Sequence, residues 1–250
     1  MQTGSSSAAH APERSQRPRL VAVVSSLAEW QQAIRLRRMP DLFELRLDAL
    51  VSHVEHLQRM VGELGAPLII TARHPAEGGA NNLTPQRRAA LLLRFLPHAA
   101  YVDVELRSAA RLQPVLDAAN KLSVQLIVSV HDFRTTPTIA RMQQLAKRAE
   151  EHGAAIFKLA TRTDTSVQLA RLLGFFEQSQ SSIPISAMGI GELGRVARVA
   201  LLREGSALNY AHLGQTRVDG QFSLRELRGK FAALPPPRAR GAIPQRKARV

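Results

Sequence analysis

Short apolar runs and longer amphipathic stretches alternate along most of this chain. L-V-A-V-V-S-S (20–26) leads into an amphipathic stretch through Arg38, and D-L-F-E-L-R-L-D (41–48) into a second around Val51–Leu64. P-L-I-I-T-A-R (67–73) precedes a glycine-containing loop and a helix after Thr84-Pro85, where proline suits the first turn. Y-V-D-V-E-L (101–106) is followed by a helix around Ala109–Lys121, and V-Q-L-I-V-S-V-H (124–131) by one starting near Pro137. A-I-F-K-L-A (155–160) precedes a helix after Thr163-Asp164, a good capping pair. I-P-I-S-A-M (183–188) and A-L-N-Y-A-H-L (207–213), each with a helix behind it, complete eight units in about 210 residues.

The runs are short, rich in Val, Ile and Leu, and spaced for crossover helices, as parallel strands are. Eight such units predict an α/β fold, a closed (β/α)8 TIM barrel, over an open doubly wound sheet. No G-x-G-x-x-G follows the first run, so a dinucleotide-binding fold loses support. A length of 250 residues suits one barrel domain over 20–232, between an N-terminal tail, 1–19, and a C-terminal tail, 233–250. No apolar stretch approaches the roughly 18 residues that cross a bilayer, so no membrane partner is expected. The first ten residues lack the basic start and apolar core of a secretory signal. The absence of cysteine excludes disulfides and thiolate metal sites and fits a cytoplasmic protein.

The net charge of +14 sits largely at the two ends, with +2 in residues 1–19 and +6 in residues 229–250. The second of these, rich in proline and arginine, reads as a disordered basic tail. Such a tail can touch nucleic acid or another polyanion. A solvated tail without a partner is the favoured reading, so nucleic acid is not an expected partner. About +6 remains for the core, which suits a small anionic substrate.

A (β/α)8 barrel places its site at the C-terminal ends of its strands, and there the polar residues collect. Glu44, Arg46 and Asp48 are spaced by two and share a face. Arg73 ends the third run; Asp103 and Glu105, again spaced by two, lie on the fourth; His131-Asp132 ends the fifth. Lys158 lies in the sixth, Met188 ends the seventh, and Arg198 opens the helical region behind it. Each alone has an ordinary explanation: an exposed edge pair, a solvated face, a loop histidine. Together they are harder to dismiss, because inward-facing charges must pair with one another or meet a ligand. Asp132, followed by Phe133, reads as structural.

Lys158 stands out among them. A charged amine in an apolar strand either snorkels its head to water or has a partner or a task. Burial lowers a lysine pKa, and a neutral amine condenses with a ketone to form a Schiff base. His131 could then remove a proton from the carbon beside the iminium and return one to a departing group. That histidine needs a carboxylate to orient it. Glu77, in R-H-P-A-E-G-G, is the candidate; His74 in the same loop ranks below His131 because it is not at a strand end.

These residues match a known pattern. E-L-R-L-D (44–48), T-A-R-H-P-A-E-G-G (71–79), D-V-E-L (103–106), S-V-H-D-F-R-T-T-P (129–137), F-K-L-A (157–160), M-G-I-G-E-L-G-R-V-A-R (188–198) and D-G-Q (219–221) occur in order over roughly residues 20–230. In these the chain resembles the type I 3-dehydroquinate dehydratases, (β/α)8 lyases of the shikimate pathway. The resemblance implies that Lys158 is the Schiff-base lysine, His131 the general acid/base and Glu77 its orienting partner. It implies that Glu44, Arg46 and Arg73 are polar substrate contacts, and that Arg198 binds the substrate carboxylate, for which an arginine fork suits better than lysine. By the same resemblance Gln221 closes over the substrate, Met188 and Tyr210 supply apolar walls, and Asp103 and Glu105 are buried supporting acids. The substrate implied is 3-dehydroquinate and the product 3-dehydroshikimate, the third step of that pathway. No metal or organic cofactor is implied, since the lysine is the electron sink. A homodimer is compatible with the resemblance.

The chain departs from the pattern in places. Ile190 stands for methionine and Ala197 for serine in the usual M-G-x-x-G-x-x-S-R, and the closing loop, usually S-A-P-G-Q, has Arg217 for serine and Asp219 for proline. Two other readings stay open: a Schiff-base aldolase or transaldolase-like barrel, and a catalytically relaxed barrel that binds polyanions through its basic tails. The E-G-G loop and the H-D-F segment weigh against the aldolase.

Overall fold

The structure, a computed structural model, describes residues 17–216 and 218–234. Most of both expected tails, and Arg217, lie outside the described residues. The eight expected strands are present as β1 (Arg19–Val24), β2 (Leu42–Arg46), β3 (Leu68–Thr71), β4 (Tyr101–Glu105), β5 (Gln125–Asp132), β6 (Ile156–Arg162), β7 (Ile185–Ile190) and β8 (Leu208–His212). A two-residue strand, β9 (Phe222–Ser223), follows, too short for a hydrophobic pattern to reveal. All pairings are parallel, in the order β7-β6-β5-β4-β3-β2-β1-β8-β9.

The helices are α1 (Leu27–Ile34), α2 (Val54–Met60), α3 (Pro85–Phe95), α4 (Gln113–Lys121), α5 (Ile139–Glu151), α6 (Ser166–Gln178), α7 (Gly194–Arg203) and α8 (Leu224–Ala232). Hydroxyl side chains begin five of them: Ser26, Thr84, Thr138, Thr165 and Ser223 each accept a backbone N–H of the first turn. Thr165 caps α6, not the Thr163-Asp164 pair expected from the sequence. The Asp164 carboxylate is instead held by Arg162 at 2.5 Å and the Glu192 amide at 2.9 Å. Residues 51–63 do not form one helix: short 3-10 turns flank α2, and no side chain caps either start.

The strands' period of two sorts their side chains into two clusters. On β6, Phe157 and Leu159 join Trp30, Leu57, Phe95 and Phe175 from the helices in the main core. Ile156 and Ala160 join Val21, Leu42, Ile69 and Ile127 in a second cluster that the strands build with little helical help. The buried helix residues thus collect on one face of the sheet. Lys158 falls between Ile156 and Ala160, so strand alternation commits it to the face turned from the helices. It is the third of seven residues in β6 and only 3% exposed, so it does not snorkel from a strand end.

Phe157 locks this register, being fully buried on the helix face. Phe157→Ala should cost about 3–5 kcal/mol, read as a lowered urea midpoint without a change in slope.

Candidate active site

The polar residues sit one layer beyond the apolar floor of the second cluster. Strand register puts Ser129 beside Lys158, Lys158 beside Ser186, Glu105 beside Ser129 and His131 beside Ala160. His131 therefore stands one side-chain step further toward the strand ends than Lys158, on the adjacent strand.

Lys158 lies in a cage. Its Nζ is 2.9 Å from Asp103 Oδ2 and 3.3 Å from Glu44 Oε1, and 4.0 Å from the centre of the Tyr210 ring. A cation over an aromatic face is attracted by the ring quadrupole, which the Tyr210 ring supplies here. Glu44 also accepts a hydrogen bond from the Thr71 hydroxyl at 2.8 Å, and Asp103 one from the Ser129 hydroxyl at 2.6 Å. Asp103 is the hub. Burial pushes its carboxyl up, but the charges of Arg73 and Lys158 outweigh burial and hold it well below the usual carboxylate range.

Arg73 was expected to touch the substrate. In the structure its guanidinium is held by the protein: 2.9 Å to Asp103, 3.3 Å to Glu105, 3.6 Å to Glu44 and 2.7 Å to the Ser129 hydroxyl. Only 2% exposed, it is the internal counter-ion of three acids that would otherwise repel one another. Glu105 accepts from the His74 amide at 2.8 Å and is paired with Arg88.

Sequence reasoning missed Arg88. Its Nε donates to Ala72 O at 2.6 Å and Nη1 to the Ser108 hydroxyl at 3.0 Å, at 1% exposure. The signal was there: Arg88 sits three, four and seven residues before Leu91, Leu92 and Phe95, on the apolar stripe of α3. Ser129, two residues before His131 on the same strand face, was overlooked for lack of charge.

His131 and Glu77 come together as expected. Glu77 Oε2 lies 3.0 Å from His131 Nδ1 and accepts the His131 backbone N–H at 2.9 Å. Burial, then the Arg73 and Lys158 charges, hold the imidazole well below its ordinary range, so the ring is neutral near pH 7. With Nδ1 engaged by Glu77, Nε2 is the nitrogen left to exchange a proton. Burial, reinforced by Glu105, pushes the Glu77 carboxyl up to about 7. Glu77 belongs to the turn Pro75–Glu77, which His74 caps through its Nδ1, accepting from the Ala76 amide at 3.0 Å. His74 thus has a structural task. The loop then folds tightly: a side chain at Gly79 would put Cβ 2.2 Å from Arg73 O.

Arg46 lies at the rim, pairing with Asp48 at 2.8 Å and donating to Gly78 O at 3.0 Å. Asp48, fully buried beyond β2, also accepts the Arg73 and Ala80 amides and so pins the loop that carries Glu77. Asp132 accepts the Arg134 and Thr135 amides at 2.9 Å each, a turn-forming role.

Arg198 differs from the other cations. It lies inside α7 rather than at its opening and is 8% exposed. Nε donates to Gly189 O at 3.1 Å, and no carboxylate among the described residues pairs with it. Burial pulls its guanidinium down to about 10. Together with Met188 and Tyr210 it lines a small cavity between β7 and β8. Gln221 immediately precedes β9, whose Phe222 pairs with Ala211, so it stands beside the Tyr210 level of β8. Direct contacts thus unite Lys158, Glu44, Asp103, Arg73, Glu105, His131, Glu77 and Tyr210, whereas Arg46, Arg198, Met188 and Gln221 form the surround. The described residues hold no His/Cys/Asp/Glu group arranged for a metal ion.

Fold and cluster together define a class: a parallel α/β protein whose buried lysine is caged by carboxylates beside a carboxylate-oriented histidine. The model of the family described as type I 3-dehydroquinase matches residues 21–234. A 3-dehydroquinate dehydratase of Desulfotalea psychrophila is 33% identical over 200 residues, covering 78% of this chain and 88% of the relative. The crystal structure of 3-dehydroquinate dehydratase from Geobacillus kaustophilus superposes with a TM-score of 0.76 at 27% identity, covering 86% of this chain and 90% of that one. The type I enzyme from Clostridium difficile gives 0.77 at 23% identity, covering 86% and 92%, a likeness of fold. The chain belongs to the type I 3-dehydroquinase family.

The raised Glu77 pKa makes a stability prediction. The folded state holds this proton more tightly than the unfolded chain, whose carboxyl titrates near 4.5. The contribution is therefore fully present below pH 4.5 and is lost as pH rises to about 7. Relative to Glu77→Gln, the wild type should lose about 3 kcal/mol across that window, measured by urea unfolding of both proteins at each pH. Parallel curves would refute the assignment.

Proposed function

We propose that this protein dehydrates 3-dehydroquinate to 3-dehydroshikimate, the third step of the shikimate pathway, through a Schiff base on Lys158. One observation carries the mechanism: the buried Lys158 amine lies between Asp103 and Glu44, beside a neutral His131 oriented by Glu77. Family membership supports the dehydratase over the aldolase alternative.

In this reading the Lys158 amine adds to the ketone, and water leaves as the iminium forms. His131 Nε2 removes a proton from the adjacent carbon, and the iminium takes up the electron pair as an enamine. The enamine expels the β-hydroxyl, which departs as water with the proton from His131. Hydrolysis of the product iminium consumes the water released first, so one water is lost overall. Arg198, which pairs with no carboxylate among the described residues, receives the substrate carboxylate. Met188 and Tyr210 wall the ring, Gln221 reaches over it, and Arg46 borders the mouth. Glu44 flanks the reacting nitrogen. Arg73, Asp103 and Glu105 hold the field around that nitrogen, Arg73 through the acids it neutralises. The chemistry requires no metal or organic cofactor.

The same reading closes the sheet into a (β/α)8 barrel. Two bonds between β7, at one end of the ladder, and the β8 segment near the other support it: the amide of Ala207, just before β8, to Ile185 O at 2.9 Å, and the Ser186 hydroxyl to Leu208 O at 2.8 Å. No helix among the described residues is long and apolar enough to cross a membrane. Cytoplasmic residence accords with the cysteine-free sequence, and a homodimer fits the family resemblance.

Borohydride with substrate present should add a ligand-sized mass to the peptide containing Lys158, and Lys158→Ala should abolish both adduct and enone absorbance. Active enzyme without an adduct would refute the mechanism. His131→Ala should lower kcat about 10²–10⁴-fold in the ultraviolet assay for the conjugated product, while still permitting imine capture.

A further inference from the structure

Asp219, which replaces the family's usual proline, meets the end of the strand that carries Lys158. Arg162 closes β6 two and four residues beyond Ala160 and Lys158 respectively, on their face of the strand, and its register partner is Ile190. Its Nε pairs with Asp164 at 2.5 Å and its Nη1 with Asp219 at 3.7 Å. Asp164 in turn accepts the Glu192 amide at 2.9 Å, and the Leu193 amide donates to Thr163 O at 2.9 Å. The Gly191 amide donates to Asp219 O at 3.1 Å, and the Gln221 amide to Val218 O at 3.1 Å.

Three segments, 162–164, 191–194 and 218–221, therefore form one junction. Glycine permits their approach: at Gly220, φ is +82°, and a Cβ there would fall 2.9 Å from Gly194 Cα and 3.1 Å from Gly191 O. Gln221 is the next residue along the chain. A proline at 219 would restrict φ covalently and limit the turn without any partner. This chain has a carboxylate there, aimed at a guanidinium that is itself fixed by a second carboxylate.

We infer that Arg162 and Asp219 are positioning residues for Gln221: their ion pair, with the Gly191–Asp219 backbone bond, fastens the 218–221 turn to the 191–194 turn and sets where Gln221 meets the substrate. The inference rests on the dehydratase reading for the role of Gln221. The tie does by charge what the proline does by covalent restriction. Because the Asp219 side chain is 77% exposed, salt weakens it.

The test uses the full chain with Arg162→Gln, Asp219→Asn, the double variant and Asp219→Glu. Each neutralised single variant should raise the KM for 3-dehydroquinate about two- to fivefold with kcat held within about twofold, as loss of uniform binding requires. The double variant should be no worse than either single, Asp219→Glu should restore the wild-type KM, and added sodium chloride should move the wild type toward the variants. Hydrogen exchange followed by mass spectrometry should show faster exchange at the Gly191 amide in the neutralised variants. Unchanged exchange there overturns the tie. Faster exchange with an unchanged KM overturns the positioning of Gln221. A wild type inactive on 3-dehydroquinate, with exchange still accelerated in the variants, overturns the dehydratase reading while the tie stands.

Discussion

Asp103 is the interaction point on which the site depends. Its carboxylate binds Lys158 from β6, Arg73 from just beyond β3 and Ser129 from β5, so one side chain joins three strands. Burying such charges is costly, and only mutual pairing recovers that cost. Here the three acids Glu44, Asp103 and Glu105 face the three bases Lys158, Arg73 and Arg88. Removing any one leaves a charge in excess in a dry interior. An apolar core of equal volume would hold the sheet as well, so the network has to be understood from the buried lysine it places.

From this balance the neighbouring electrostatics follow. Burial, reinforced by the cations beside Asp103, holds His131 neutral, while Glu77, shielded from water and near Glu105, holds its proton to about 7. Opposite shifts thus reverse the usual order of titration within one hydrogen-bonded pair. Arg198 lies outside the balanced set. Its lack of a carboxylate partner among the described residues is the clearest invitation in the site to an anionic ligand.

Much of this was legible in the sequence, for physical reasons. The β period of two told that Asp103 and Glu105, or Glu44 and Arg46, share a face, because pleating leaves no alternative. The apolar runs located the eight strands, since buried parallel strands cannot hide their composition. Strand ends were less legible: Arg73 and Asp48 lie past β3 and β2 and act through loop geometry that no periodicity encodes. Whether Arg73 touches substrate or protein depended on how many acids the fold placed around it. Arg88 was readable as a charge on an apolar helix stripe, but its partner, across the loop on β4, was not. The pairing of Arg162 with Asp219 joins residues far apart in sequence, neither at a position of unusual hydropathy.

The cage around Lys158 has a consequence for the course of the proposed reaction. An ammonium and an iminium carry the same unit charge at nearly the same point. The acids that neutralise the resting lysine therefore neutralise the captured substrate equally well, and the cage need not rearrange between the two. The uncharged carbinolamine between them is the mismatched species, facing carboxylates with no cation to answer them. The field thus favours the charged states on either side of the carbinolamine, so that this intermediate collapses to the iminium rather than accumulating.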